Sequence, residues 1–188
     1  MNMNIKEAIR EFDKSDYLRF LEEFPDQITK AHSLELPDLS KLDGSYRSVV
    51  IAGMGGSAIG GELIQSLYAR ELTTPLQVVR DYSLPAFVNE ETLVCIASYS
   101  GNTEETLASY SQARERKASV ICIITGGQLA ETAQHYGDPV ISKPAGYQPR
   151  AALGYSVMPL IKILNHFQLL ANKDRDIDET IECLTELK

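Results

Sequence analysis

Five short apolar runs, Ser48–Ala52, Leu76–Val79, Leu93–Ala97, Val120–Ile124 and Pro139–Ile141, limit what this chain can fold into. Each is too short for a helix, and most are rich in the Val and Ile that favour strands. They do not alternate polar with apolar residues, so each expected strand must be covered on both faces. Helical patterns separate several of them. Ser57–Arg70 places Ile59, Leu63, Ile64 and Leu67 on one face. Thr103–Arg116 ends in Arg114, Arg116 and Lys117, cations suited to a helix C-terminus. Gln128–Tyr136 follows a Gly-Gly turn. Doubly covered strands alternating with helices predict an α/β fold, a three-layer αβα sandwich around a five-stranded parallel sheet.

Further helices are expected at both ends. Asp13–His32 carries Tyr17, Leu18, Leu21, Phe24 and Ile28 at helical spacing, and Pro25 divides it into two pieces. Leu36–Gly44 is a connection. Ala151–Leu170 is strongly apolar, with Pro159 as a start or a kink, and Asp176–Lys188 sets Ile177, Ile181, Leu184 and Leu187 along one face. That last pattern stops without a Gly or Pro, which suggests a chain cut short. The expected division is an N-terminal helical segment over 1–45, a core over 46–150, and C-terminal helices over 151–188. No internal repeat or low-complexity segment interrupts it.

Composition narrows the function classes. At 188 residues, with 44% hydrophobic and 23% charged, the chain suits one globular domain. No stretch approaches the roughly 18 apolar residues of a membrane span, and Met1–Arg10 has no apolar core for a signal peptide. Cys95, Cys122 and Cys183 are odd in number and lack metal-type spacing. Two lie in apolar runs, so free thiols in the reducing cytoplasm are expected. A net charge of −8 argues against nucleic acid and anionic membranes as partners. A small anion stays possible, because backbone N–H groups and one or two cations can hold it locally.

Two loops could do so. Gly53-Met54-Gly55-Gly56-Ser57-Ala58-Ile59-Gly60-Gly61 follows a strand and opens a helix. Its glycines allow close backbone approach, the helix start offers unpaired N–H groups, and Ser57 adds a hydroxyl or the N-cap. Gly53, Gly55 and Ala58 also match a dinucleotide fingerprint, with Asp81 near the end of the next strand as a ribose-binding acid. The second loop, Ser98-Tyr99-Ser100-Gly101-Asn102-Thr103-Glu104-Glu105-Thr106, again follows a strand and opens a helix. A capping box of Asn102 and Glu105 would explain those two residues alone. It leaves Ser98, Ser100 and Thr103, three hydroxyls around a glycine that suit phosphate oxygens and that a dinucleotide site does not need. In a 2-1-3-4-5 sheet the first and third strands are neighbours, so both loops flank the switch point where ligands bind.

Together with Gln148-Pro149-Arg150-Ala151-Ala152-Leu153-Gly154-Tyr155, these loops resemble the bifunctional phosphoglucose/phosphomannose isomerases, a branch of the sugar-isomerase (SIS) domain superfamily. The resemblance covers nearly the whole chain. It implies two SIS domains in a chain of roughly twice this length, a homodimer, and no metal or organic cofactor. It also implies interconversion of glucose 6-phosphate or mannose 6-phosphate with fructose 6-phosphate. Ser57, Ser98, Ser100 and Thr103 would contact the phosphosugar, mostly its phosphate; Gly55 and Gly56 would line the sugar; Arg150 would sit at the reacting carbons. Independent chemistry supports Arg150. Aldose–ketose isomerisation passes through an enediolate, and a fixed guanidinium stabilises that developing charge. A cation at a helix start is otherwise mildly unfavourable.

The proton shuttle also needs a base and an acid. In the resembled family these are a glutamate and a histidine further along, with a lysine near the end, beyond Lys188. His32, His135 and His166 read as structural, and Glu104 and Glu105 stand too near the phosphate loop. Taken alone, the chain is therefore expected to lack the acid–base residues. A non-catalytic phosphosugar-binding SIS module, as in some regulators, is the alternative.

Overall fold

The computed structural model describes residues 4–42 and 44–187; Lys188, the expected end of the last helix, and Asp43 of the connection lie outside them. The strands are β1 Ser48–Gly53, β2 Leu76–Val79, β3 Thr92–Ala97, β4 Ser119–Ile124 and β5 Val140–Ser142. All pairings are parallel, in the order β2-β1-β3-β4-β5. This is the expected sheet.

Alternate strand residues feed two cores, as the period-2 geometry of a strand requires. Val49, Ile51, Leu93, Cys95, Ile121 and Ile123 face one side. There they meet α3 Phe24–His32, α4 Gly56–Leu67, α7 Gly154–His166 and α8 Asp174–Glu186. Val50, Ala52, Val94, Ile96, Val120 and Cys122 face the other, against α5 Glu104–Glu115 and α6 Gly127–Tyr136. Both strand cysteines are buried and free, and burial pushes the Cys95 thiol up to about 12. Neither is a ready thiolate.

Before α3 come α1 Ile5–Phe12 and α2 Tyr17–Glu22. The first was not anticipated; a capping box between Asn4 and Glu7 starts it. Pro25 opens α3, where its missing N–H costs nothing. Pro159 lies inside α7, neither starting nor ending it. The final helix begins at Asp174, two residues before the predicted start, and buries Ile177 while Leu187 is exposed. Among the described residues no helix is long and apolar enough to cross a membrane.

Candidate functional site

β1 and β3 are adjacent and in register, with Gly53 opposite Ala97, so the two loops leave the sheet side by side. In the first, Gly55 caps α4 at φ +52°, a conformation that suits glycine. Ser57 lies inside the first turn. The N-cap role offered for it therefore falls to Gly55, because the chain enters the helix two residues earlier. Ser57 is 6% exposed, and its hydroxyl bonds to no described residue.

The second loop is bonded internally. Ser98 Oγ accepts from the Gly101 N–H at 3.1 Å and lies 3.3 Å from Thr103 Oγ1. Ser100 is exposed, and its Oγ accepts from the Asn102 N–H at 3.2 Å. Thr103, not Asn102, is the N-cap of α5. Asn102 instead turns its Oδ1 to the Gln128 N–H at 2.8 Å, tying the loop to the start of α6. That contact satisfies an orphan donor of a different helix, which the local sequence could not show. Gly101 has φ +69°, and a Cβ there would stand 1.8 Å from Gly126 O. Only glycine fits.

Arg150 reaches the site through a crossing segment. After β5, residues 143–148 run past Tyr99, just beyond the carboxyl end of β3, to a 3-10 turn, Pro149–Ala151. That turn rests on Gly56, where a Cβ would meet Pro149 O at 2.9 Å and Arg150 N at 3.1 Å. Gly56 thus admits the Arg150 backbone by close approach. The Arg150 side chain is exposed and pairs with no described residue.

The SIS domain family matches residues 45–160, more than half of the chain and all of the elements just described. The chain belongs to the SIS domain family. It is 44% identical over 172 residues to a protein named bifunctional phosphoglucose/phosphomannose isomerase from Caldicellulosiruptor bescii, covering 87% of this chain and 49% of that one. A protein of the same name from Thermoplasma acidophilum is 41% identical over 157 residues, covering 81% and 47%. The chain spans about half the length of the curated relatives it matches. Among solved structures, the C-terminal domain of glucosamine-fructose-6-phosphate aminotransferase from Francisella tularensis superposes with TM-score 0.64 at 18% identity, over 91% of this chain and 53% of that one. That likeness is one of fold.

In this SIS domain all three histidines end their helices on the far side from the loops. His32 and His166 close α3 and α7, and His135 lies in the last turn of α6. Because α6 and α7 start near the loops, their C-terminal turns lie at the opposite edge of the sheet. His32 is instead 3.4 Å from Asp174, and its backbone oxygen accepts from Lys162 Nζ. Glu104 is exposed and accepts from the Tyr82 hydroxyl at 3.2 Å. The Asp81 carboxylate accepts from the adjacent Tyr82 N–H at 2.6 Å. Among the described residues no group of three His, Cys, Asp or Glu could hold a metal ion.

Sequence reading passed over three residues of this SIS domain that the structure brings to the site. Lys143, 4% exposed, has no ion pair among the described residues; its ammonium lies 5.5 Å from the Tyr99 ring centroid, and burial lowers it to about 8. Tyr99 donates its hydroxyl to Pro144 O at 3.2 Å and accepts from the Tyr147 N–H at 2.8 Å. Gln27, 1% exposed, donates to Ala151 O and accepts from the Gly154 N–H, both at 2.7 Å. Gln27 left one signal: it is a polar residue between Phe24, Ile28 and Ala31 on the buried stripe of α3.

Proposed function

We propose that this SIS domain is the phosphosugar-binding portion of an aldose–ketose isomerase that interconverts glucose 6-phosphate or mannose 6-phosphate with fructose 6-phosphate through an enediolate. The observation that carries the reading is the side-by-side exit of the two loops at the β1/β3 switch point, with the Arg150 turn seated on one of them. Ser57, Ser98, Ser100 and Thr103 hold the phosphate through neutral hydroxyls, aided by the N–H groups at the start of α5; at the start of α4 the Ser57 and Ala58 N–H groups already donate to Met54 O and Gly55 O. Gly55 and Gly56 line the sugar. Arg150 stabilises the negative charge that develops on oxygen as the proton moves between the two carbons, an interaction stronger in the transition state than in the ground state.

The base and the ring-opening acid belong to another part of the protein or to another copy of it, since the histidines lie at the far edge and Glu104 is engaged by Tyr82. In keeping with the family resemblance, the working unit is a cytoplasmic homodimer without metal or organic cofactor. Its two buried thiols suit a reducing compartment.

Thermal-shift titration tests the binding reading. Fructose 6-phosphate or a six-carbon sugar-acid phosphate is expected to raise Tm, and NAD to leave it unchanged. Stabilisation by NAD without stabilisation by hexose phosphates contradicts the proposal and returns Gly53, Gly55, Ala58 and Asp81 to the dinucleotide reading. A coupled assay of Met1–Lys188 alone is expected to convert no fructose 6-phosphate to glucose 6-phosphate, because loss of the acid–base residues slows proton transfer by about 10²–10⁴-fold or more. Robust turnover would place those residues within the chain.

A further inference from the structure

The Arg150 guanidinium makes no hydrogen bond or ion pair with a described residue, yet its backbone is held on three sides. Beneath it, Gly56 leaves no room for a Cβ. Upstream, the crossing segment is pinned by the Tyr99 hydroxyl, which satisfies Pro144 O and the Tyr147 N–H together. The Tyr147 ring then packs between Phe20 and Tyr155, with centroids 5.3 and 5.5 Å away. Downstream, the buried Gln27 amide spans Ala151 O and the Gly154 N–H, linking the end of the 3-10 turn to the start of α7. Each amide end has one matching partner, so its orientation is determined by the bonding itself. Tyr99 is itself a member of the hydroxyl loop, and its carbonyl accepts from the Thr125 N–H and hydroxyl. The segment carrying Arg150 is thereby fastened to the same loop that offers Ser98, Ser100 and Thr103.

We propose that Tyr99 and Gln27 are positioning residues for Arg150, clamping its segment before and after so that the base of its side chain is held at a set place relative to the phosphate-binding hydroxyls. The proposal rests on the phosphosugar reading and deepens it. It gives the site a ruler: Tyr99 ties the anion loop to the strap that carries the charge-stabilising arginine. A long, flexible arginine stabilises a transition state only when its base is pre-ordered, because orientation gained in advance is not lost on reaction. Neither residue touches substrate.

Calorimetric titration of the 188-residue chain with two probes separates positioning from general support. Inorganic phosphate reports the hydroxyl loop alone. 6-Phosphogluconate adds a carboxylate where the reacting carbons would be, within reach of Arg150. The unaltered chain is expected to bind 6-phosphogluconate more tightly than phosphate, and Arg150→Ala to remove the difference. Tyr99→Phe is expected to weaken 6-phosphogluconate about tenfold and leave phosphate within about twofold, the scale of one lost hydrogen bond to an ordered segment. In the Arg150→Ala background the same change is expected to have no further effect on either probe, as a double-mutant cycle requires of a residue acting through another. Gln27→Met repeats the test from the other side of the segment and serves alone if Tyr99→Phe does not fold. Failure of the unaltered chain to prefer 6-phosphogluconate overturns the phosphosugar reading and this proposal with it. A wild-type preference that survives Tyr99→Phe and Gln27→Met, or equal losses with and without Arg150, overturns the positioning roles alone.

Discussion

The two ends of the same parallel strands are built on opposite terms. At the amino ends of β1–β3 lies a cavity of about 600 Å³ lined by Arg47, Ser48, Gln77, Phe87, Asn89 and Glu91 among others. Its polar groups are largely engaged: Arg47 meets Glu91 at 3.0 Å, Ser48 Oγ lies 3.0 Å from Thr92 Oγ1, and Asn89 Oδ1 accepts from the Glu91 N–H at 2.9 Å. At the carboxyl ends, by contrast, the Ser57 hydroxyl and the Arg150 guanidinium have no partner among the described residues. Ser57 is buried, and buried polar groups are normally paired, so its unspent hydroxyl marks a site more reliably than volume at the other end. Ligand positions in open α/β sheets agree with that choice.

The largest expected effect on this contrast comes from Gly101→Ala. With φ +69° and Gly126 O only 1.8 Å from the new Cβ, the hydroxyl loop must detach from the β4–α6 turn. Urea unfolding should show a loss of about 2–4 kcal/mol, the scale of overpacking added to a left-handed backbone strain. A loss below about 0.5 kcal/mol would mean that the loop is not fixed as described.

Lys143 gives a pH signature at the same end. Burial lowers its ammonium from 10.5 to about 8 in the folded chain. Between those values the unfolded state binds more protons, so stability rises with pH across about 8 to 10.5 and is lowest, on this account, below 8. The rise is at most about 3.4 kcal/mol, at about 1.36 kcal/mol per unit over about 2.5 units. Lys143→Met should abolish that part of the rise and leave the protein more stable at neutral pH. Parallel stability–pH profiles for the two proteins would remove Lys143 from the account.

Smaller effects separate binding from folding. Thr103→Ala and Ser57→Ala should each weaken fructose 6-phosphate binding by about 1–3 kcal/mol, the cost of a lost hydrogen bond to a charged group. Ser57→Ala should leave stability within about 0.5 kcal/mol, since its hydroxyl has no described partner to lose. At the amino end, Arg47→Ala should cost no more than about 1 kcal/mol, because its pair with Glu91 is largely exposed, and should leave sugar binding untouched. A binding loss from Arg47→Ala would invert the comparison.

Much of this architecture was legible beforehand because it depends on short-range signals. Five buried runs with helical spacers dictate a parallel sheet, and glycine- or hydroxyl-rich strand–helix turns announce themselves locally. What escaped depends on contacts between distant segments. Gln27 meets Ala151 and Gly154 across more than a hundred residues, and Asn102 caps α6 instead of its own helix. Helix α1 is the exception: its Asn4–Glu7 box is a local signal, but Ile5 and Phe12 are exposed, so no buried apolar stripe accompanies it. Lys143 looked like an ordinary residue after a strand. Its burial beside the Tyr99 ring, which only the folded chain shows, is what makes it costly.

The central claim, that a phosphosugar lies across the two loops at the carboxyl ends, is tested most directly by backbone amide shifts of the labelled chain during titration with fructose 6-phosphate. The largest shifts are expected at Gly55–Ser57 and Ser98–Thr103, followed by Arg150 and Ala151, with Arg47, Phe87 and Glu91 unmoved. Saturable shifts centred on Arg47, Phe87 and Glu91, with both loops silent, would place the ligand at the opposite end of the sheet and contradict the account.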